Sequence, residues 1–161
     1  MTASSADTER WNQGLANGFF LRIHGVSRFA LIGADRVRYL NGQCSNDVRK
    51  LGPESDPIQA CILSARGKLD AVVWIWVESD RLIVECDTCL ADHVAARLEK
   101  YIVADDVTLE PLPPPENEWH VVMGNDPLPD AIRLRSIRSI QRLGAPGVDV
   151  SDPTLPESAE S

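Results

Sequence analysis

Residues 69–102 read LDAVVWIWVESDRLIVECDTCLADHVAARLEKYI, and this stretch decides the fold. Its first nine residues are rich in Val, Ile and Trp, as β-strands are. Residues 78–80 make a tight reversal, and residues 82–85 return as a second strand. Four apolar residues then recur every four positions: Leu90, Val94, Leu98 and Ile102. That spacing puts them on one face of a helix, so the stretch predicts a β-hairpin followed by an amphipathic helix.

The flanking residues extend this pattern into a larger α+β order. Short apolar runs predict further strands at five places: residues 19–24, 28–32, 58–63, 107–109 and 119–123. Asp35 follows Gly33 and is suited to cap a helix that turns Val37 and Leu40 inward. Residues 28–110 are thus predicted to form a strand, a helix, several strands, a second helix and a last strand. This is a decorated ferredoxin-like order. We therefore predict an α+β fold whose sheet is largely antiparallel, with two helices on one face.

The chain of 161 residues is predicted to hold one folded domain with loose ends. Residues 1–18 are polar and are predicted to be a disordered lead-in. Residues 19–125 are the predicted domain, with the ferredoxin-like core at 28–110. Residues 126–161 are predicted to be a partial second segment with a disordered tail, because residues 144–161 offer no apolar face worth burying.

Composition narrows the class of partner. Apolar residues make up 43% of the chain, enough for a core, and the formal net charge is −8. An acidic surface repels phosphate backbones, so no direct nucleic-acid partner is expected. No apolar stretch approaches the ~20 residues that span a bilayer, and no signal-like start is present, so no membrane association is expected. Four cysteines in a chain of this length predict free thiols in a reducing cytoplasm.

Cys86 and Cys89 form a CxxC pattern with two alternative interpretations. In the first interpretation, the two cysteines form half of a metal site or a redox pair. A zinc site needs two more ligands, and His93 is the single nearby candidate. The other interpretation is that a strand ends at Cys86 and a helix starts near Cys89, with Asp87 or Thr88 as the cap. We favour the cap and predict no metal.

Two further groups of residues have both a structural and a functional interpretation. The three histidines are isolated in the sequence, which favours structural or exposed positions: His24, His93 and His120. Trp74 and Trp76 are two apart on a predicted strand, so they share one face of the sheet. Packing explains the pair, and a stacking wall for a flat ligand is the functional alternative.

Four segments carry a resemblance: LIGADRVRYLNGQCSNDV at 31–48, ACILSARGKL at 60–69, LIVECD at 82–87 and LEKYIVADDV at 98–107. In this order they resemble the glycine-cleavage T-protein superfamily. The resemblance covers residues 19–125 and is greatest to the YgfZ-type folate-binding branch of that superfamily. It implies a three-part fold in which tetrahydrofolate or a derivative sits in a central cavity.

The resemblance also implies positions for the folate site. The aspartate that drives aminomethyl transfer in the T-protein falls on Val72 here, which argues against catalysis because valine cannot ionise. Asp70 is the weak catalytic alternative, since alternation places it on the same face at a different depth. Asp87 matches a side chain near the pterin, where a carboxylate accepts paired N–H donors. Glu85 and Gln59 are weaker candidates for lining the cavity.

The branch's K-G-C-Y-x-G-Q-E motif does not occur in this sequence. We predict a non-catalytic folate-binding module, whose role by resemblance is support of iron–sulfur cluster assembly or repair and of tRNA modification. The expected partners are folate and either iron–sulfur proteins or a separate carboxy-terminal half. Two alternatives stay open: an aminomethyltransferase-like folate enzyme, and a truncated ferredoxin-like fragment that acts only in protein interaction.

Overall fold

A computed structural model describes residues 9, 12–14, 16–116, 118–122, 124, 136–140 and 147–151. The chain divides into two compact units. One unit spans His24–Pro115. The other combines Met1–Ile23 with Glu116–Ser161. The predicted domain of 19–125 thus crosses both unit boundaries, while the predicted core of 28–110 lies within the unit His24–Pro115.

The unit His24–Pro115 contains five strands and two α-helices. In chain order they are β2 (Val26–Ile32), α1 (Arg36–Asn41), β3 (Ile58–Leu63), β4 (Leu69–Glu78), β5 (Arg81–Asp87), α2 (Ala91–Glu99) and β6 (Thr108–Leu112). Short 3-10 turns follow α1 at Val48–Lys50 and precede α2 at Thr88–Leu90. The predicted hairpin and amphipathic helix are therefore present as β4, β5 and α2.

The five strands pair in the order β3-β4-β5-β2-β6, and every pairing is antiparallel. Without β3 the order is that of a ferredoxin-like sheet, in which the first strand lies between the third and the fourth. Strand β3 extends this sheet at one edge. The α+β class and the decorated ferredoxin-like order are confirmed.

Both helices pack on the same face of this sheet. Tyr39 and Leu40 of α1 and Val94 and Leu98 of α2 share one apolar cluster with alternate residues of β2, β3, β4 and β5. The Tyr39 hydroxyl donates to the Leu98 carbonyl oxygen, which ties one helix to the other. Burial raises the pKa of Tyr39 to about 12, so this phenol stays protonated and keeps donating at neutral pH.

The segment after α1 covers the outer edge of β3. The Ser45 backbone N–H donates to the Cys61 carbonyl oxygen at 3.0 Å, and the Ser45 hydroxyl accepts from the Cys61 N–H at 2.8 Å. The Asn46 side-chain amide donates to the Gln59 carbonyl oxygen at 3.0 Å. These bonds satisfy backbone groups that an edge strand otherwise leaves exposed. The Asp47 side chain caps the 3-10 turn, and the Asn46 side chain bonds to the edge of β3.

A reciprocal pair of hydrogen bonds fixes the start of α1. The Asp106 backbone N–H donates to the Asp35 carboxylate at 3.0 Å, and the Ala34 N–H donates to the Asp106 carboxylate at 3.0 Å. Asp35 makes no side-chain cap bond within α1. The predicted cap role of Asp35 is therefore wrong, because its carboxylate reaches the loop before β6 instead. Asp106 has the same structural role.

The described residues of the second unit form four strands: β1 (Phe19–Arg22), β7 (Glu118–Val122), β8 (Ser136–Ile140) and β9 (Gly147–Ser151). They pair antiparallel in the order β1-β7-β9-β8. Strand β7 is interior to this sheet, with β1 on one side and β9 on the other. Described residues 9, 12–14, 16 and 17 are helical, where a disordered lead-in was predicted.

The predicted disorder from residue 144 onward is wrong for residues 147–151, which form β9. Val148 and Val150 are buried and pack with Trp119 and Val121 of β7. Two valines separated by one polar residue are too weak a pattern to predict a strand from sequence alone. The strand forms because β7 and β8 lie on either side of it. Residues 136–140 form β8, and the other predictions for residues 126–161 fall outside the described residues.

Within the described part of the chain, no helix has the length and apolar character needed to cross a membrane.

Candidate functional site

The sheet face opposite α1 and α2, called here the helix-free face, carries most of the predicted site residues. A row of directly paired residues crosses it from β3 to β6: Gln59, Trp74, Glu85, Arg28 and Leu112. Val72 lies on the same face, two residues before Trp74 on β4, and pairs with Cys61 of β3. The structure thus brings Gln59, Val72 and Glu85 onto one surface, as the sequence-based site requires.

Exposure on the helix-free face decreases from β3 toward β2. Gln59 is exposed and Val72 is 43% exposed, while Trp74 is half-buried. Glu85 and Arg28 are only 1% and 8% exposed. The accessible part of the face is therefore its β3–β4 side, where an indole ring, a valine and an amide lie together.

Asp70 does not share this face, which corrects the sequence-based placement. Ile62 pairs with Ala71 but Leu63 pairs with Leu69, so Asp70 is an extra residue in β4 and forms a β-bulge. A bulge interrupts the alternation of side chains and re-aims the residue it contains. The Asp70 carboxylate lies 3.6 Å from His93 Nε2 and 3.9 Å from Arg97 Nε, both on α2. It therefore lies on the helix side of the sheet, away from Val72.

Arg97 connects the bulge to the surrounding loops. Its guanidinium donates to the Leu63 carbonyl oxygen at 2.8 Å and to the Gln43 side-chain oxygen at 2.9 Å. It also stacks over the Tyr101 ring, with 4.3 Å between the guanidinium carbon and the ring centroid. Asp70 thus belongs to a structural network, and this also accounts for His93, the only histidine near the CxxC pattern.

Glu85 is paired inside the protein. Arg28 Nε donates to Glu85 Oε2 at 2.8 Å, and the Arg28 guanidinium lies 5.4 Å from the Trp76 ring centroid. A buried carboxylate needs such a charge-assisted bond to offset its loss of water. Glu85 therefore lies on the buried side of the helix-free face, next to its accessible part.

Asp87 acts as the cap of the turn that leads into α2. Its carboxylate accepts from the Cys89 backbone N–H at 3.0 Å, and this hydrogen bond lowers the pKa of Asp87. The carboxylate is exposed and ionised at neutral pH, so it is also suited to accept donors from a ligand. The predicted cap is confirmed, whereas the predicted contact of Asp87 with the pterin stays a prediction.

The two cysteines of the CxxC pattern differ in environment. Cys86 is buried in the helix-side core, and burial raises its pKa to about 11. Cys89 is exposed, and its interaction with the Asp87 carboxylate raises its pKa. Both thiols are therefore protonated at neutral pH, which favours neither metal binding nor thiol exchange. Within the described ranges, no three His, Cys, Asp or Glu side chains cluster as metal ligands would.

The second unit holds a polar pair that sequence reasoning missed. His120 Nδ1 lies 3.0 Å from Asp149 Oδ1, and both side chains are almost completely buried. His120 Nε2 finds no hydrogen-bond partner among the residues that the structure describes. The ring packs against Gly147, where an added Cβ would lie 2.6 Å from a ring carbon. No sequence signal joins these residues, because they are brought together by the pairing of β7 with β9.

Comparison with solved structures finds a protein of similar fold. A search of solved structures finds aminomethyltransferase T of the glycine cleavage system from Bartonella henselae, with a TM-score of 0.64 at 15% sequence identity. The match covers 84% of this chain and 42% of that protein. The fold is that of the glycine-cleavage T-protein. At this level of identity the similarity concerns the fold alone.

Sequence comparison gives similarity to one group of proteins. The chain is 30% identical over 101 residues to the tRNA-modifying protein YgfZ of Yersinia pestis (strain Pestoides F) and of Yersinia pseudotuberculosis serotype O:3 (strain YPIII). The match covers 61% of this chain and 30% of each relative, so the chain spans less than a third of the relatives' length. No protein-family model matches the chain. The resemblance to the T-protein superfamily and its YgfZ-type branch is thereby confirmed.

Proposed function

We propose that the chain supplies one wall of a binding site for tetrahydrofolate or a derivative, and that this wall takes no part in acid–base chemistry. The observation that carries the proposal is the helix-free face, where Trp74, Gln59 and Val72 are accessible side by side. An indole provides a stacking surface for a flat heterocycle. The Gln59 amide offers both donors and acceptors to the edge of such a ring.

The residues at two positions argue against catalysis. Valine at position 72 cannot exchange a proton, and Asp70 is held by α2 through Arg97 and His93. A general acid or base must lie within hydrogen-bond reach of the reacting group. The aminomethyltransferase-like alternative therefore lacks an acid at the place where the resemblance puts the reacting centre.

The cellular role is proposed from the relatives. YgfZ is a tRNA-modifying protein by name, and we propose a supporting role of the same kind in the cytoplasm, through folate-dependent assembly or repair of iron–sulfur clusters. Because the chain spans 30% of those relatives, the proposed site needs further walls to enclose its ligand. A separate carboxy-terminal half is a suitable source, and iron–sulfur proteins are the proposed clients.

Calorimetric titration of the purified chain with tetrahydrofolate tests the proposal. We expect Trp74→Ala to weaken binding about tenfold, in line with about 0.5–1.5 kcal/mol for an aromatic contact. We expect Gln59→Ala to weaken binding severalfold. Val103→Ala is a matched control, because Val103 is an exposed residue outside the sheet. Equal affinity in wild-type protein and Trp74→Ala would refute the site, and no heat at millimolar ligand would refute autonomous binding.

A further inference from the structure

We infer that the same face also binds the anionic tail of the folate, at the turn that carries Arg66 and Lys68. This inference rests on the proposed function and adds an orientation for the ligand. The proposed ligand is a folate with an extended glutamate chain, and its pterin ring lies at Trp74. Three features of β3 and β4 support this assignment.

The first feature is a continuous apolar strip along β4. Trp74 is half-buried, Val72 is 43% exposed and Leu69 is 59% exposed, so accessibility increases toward the start of the strand. The bulge at Asp70 is what keeps Leu69 in this strip. Without the extra residue, strict alternation would place Leu69 on the side of Ala71, which is buried under the helices.

The second feature is the rigidity of the turn between β3 and β4. The Ser64 N–H donates to the Lys68 carbonyl oxygen at 2.8 Å, and the Gly67 N–H donates to the Ser64 carbonyl oxygen at 2.9 Å. The Ser64 hydroxyl also accepts from the Lys68 N–H at 3.1 Å. Three bonds within five residues hold the backbone of Arg66 and Lys68 in place, so little ordering is required when an anion binds.

The third feature is charge. Arg66 and Lys68 are exposed, and neither forms an ion pair with any other residue that the structure describes. The exposed arginines Arg38 and Arg49, in contrast, are paired with carboxylates. In a chain of net charge −8, two uncompensated cations separated by one glycine create a local positive potential. Carboxylates are the ligands that such a site attracts, with charge-assisted hydrogen bonds to the arginine.

The order of these features matches the order of groups in a folate. A flat pterin ring is followed by an apolar aminobenzoyl ring and then by one or more glutamates. Along the face, Trp74 is followed by Val72 and Leu69 and then by the cationic turn. The ligand thereby lies along β4, with its ring toward the buried side of the face and its tail toward solvent.

The test compares tetrahydrofolate carrying one glutamate with the form carrying three glutamates, by calorimetry at low salt. We expect the triglutamate to bind wild-type protein about fivefold more tightly, as two exposed ion pairs allow. Arg66→Ser/Lys68→Ser should remove this preference, and added salt should reduce it in wild type. Arg38→Ser/Lys100→Ser is the control, since it removes the same charge from α1 and from the residue that follows α2.

The outcomes separate this inference from the proposed function. Binding of the monoglutamate with no preference for the longer tail would overturn the inference and leave the folate wall intact. A preference that survives in Arg66→Ser/Lys68→Ser would overturn it as well. Failure of both forms to bind would refute autonomous binding by the chain and overturn the inference with it. A preference lost in that variant and kept in Arg38→Ser/Lys100→Ser supports it.

Discussion

Gly33 shows how a single residue constrains the unit His24–Pro115. Its φ is +116°, and an added Cβ would lie 2.1 Å from the Asp106 carbonyl oxygen. The same Asp106 holds Ala34 and Asp35 through the reciprocal hydrogen bonds. A side chain at position 33 would therefore break the connection between the start of α1 and the loop before β6.

We predict that Gly33→Ala lowers the free energy of unfolding by at least about 2–3 kcal/mol, because it combines a backbone clash with an unfavourable φ. Gly25→Ala is the matched control. Gly25 has a φ of +69°, but nothing lies within 4 Å of an added Cβ, so only the conformational cost of about 1–2 kcal/mol applies. Urea unfolding measures the free energy of unfolding of both variants. An equal loss of stability in the two variants would contradict this account.

Acid should destabilise the protein through particular carboxylates. Backbone hydrogen bonding lowers the pKa of Asp35 and of Asp87, and the Arg49 side chain lowers the pKa of Asp47, each from an ordinary value of 3.8. Since the folded pKa lies below the unfolded value, the stabilisation is present above about pH 4 and is lost as pH falls through the folded values. Asp87→Asn keeps a cap but cannot ionise. Its stability deficit at pH 7 should therefore shrink below pH 4, and a constant deficit in thermal unfolding would contradict the assignment.

At the scale of elements, some features could be predicted from sequence and others could not. The strand β4, the strand β5 and the helix α2 were predicted because their apolar periods lie within a single element. The bulge at Asp70 was missed because it is a property of pairing with β3, which a single strand does not reveal. The site prediction failed at Asp70 for that reason. The shared face of Gln59 and Val72 follows from regular alternation, and their contact with folate stays a prediction.

The turn between β4 and β5 contains a strained residue that should be improvable. Ser79 has a φ of 56° at the first of the two positions between Glu78 and Arg81, and two-residue hairpins of this kind favour glycine there. Ser79→Gly should raise the free energy of unfolding by about 0.5–1 kcal/mol. Asp80→Gly, at the neighbouring position, is the control and should not stabilise. A decrease in the urea midpoint of Ser79→Gly would show that the turn is not strained.

The bulge gives a prediction that separates structure from ligand binding. Asp70→Asn should cost about 1 kcal/mol or less, because its ion pairs with Arg97 and His93 are long and His93 is exposed. Tetrahydrofolate affinity should be unchanged, since Asp70 faces α2. A tenfold loss of affinity in this variant, with stability preserved, would show that Asp70 reaches the ligand.

At the scale of the whole molecule, the sequence indicated the ferredoxin-like unit better than the second unit. The order of elements from β2 to β6 is local enough to be inferred from strands and helices in succession. The sheet β1-β7-β9-β8 combines strands from both ends of the described chain, so its core of Trp119, Val121, Val148 and Val150 depends on long-range pairing. The pair of His120 and Asp149 was missed for the same reason.

The central claim is that a flat folate ring contacts the helix-free face of the sheet at Trp74. The most direct measurement is a nitrogen–proton spectrum of the tryptophan indoles during titration with tetrahydrofolate, with Trp74→Phe to assign the signal. We predict that the Trp74 indole resonance moves in a saturable way, while that of Trp119, buried in the other unit, stays in place. A Trp74 resonance that remains fixed while ligand binds would contradict the account.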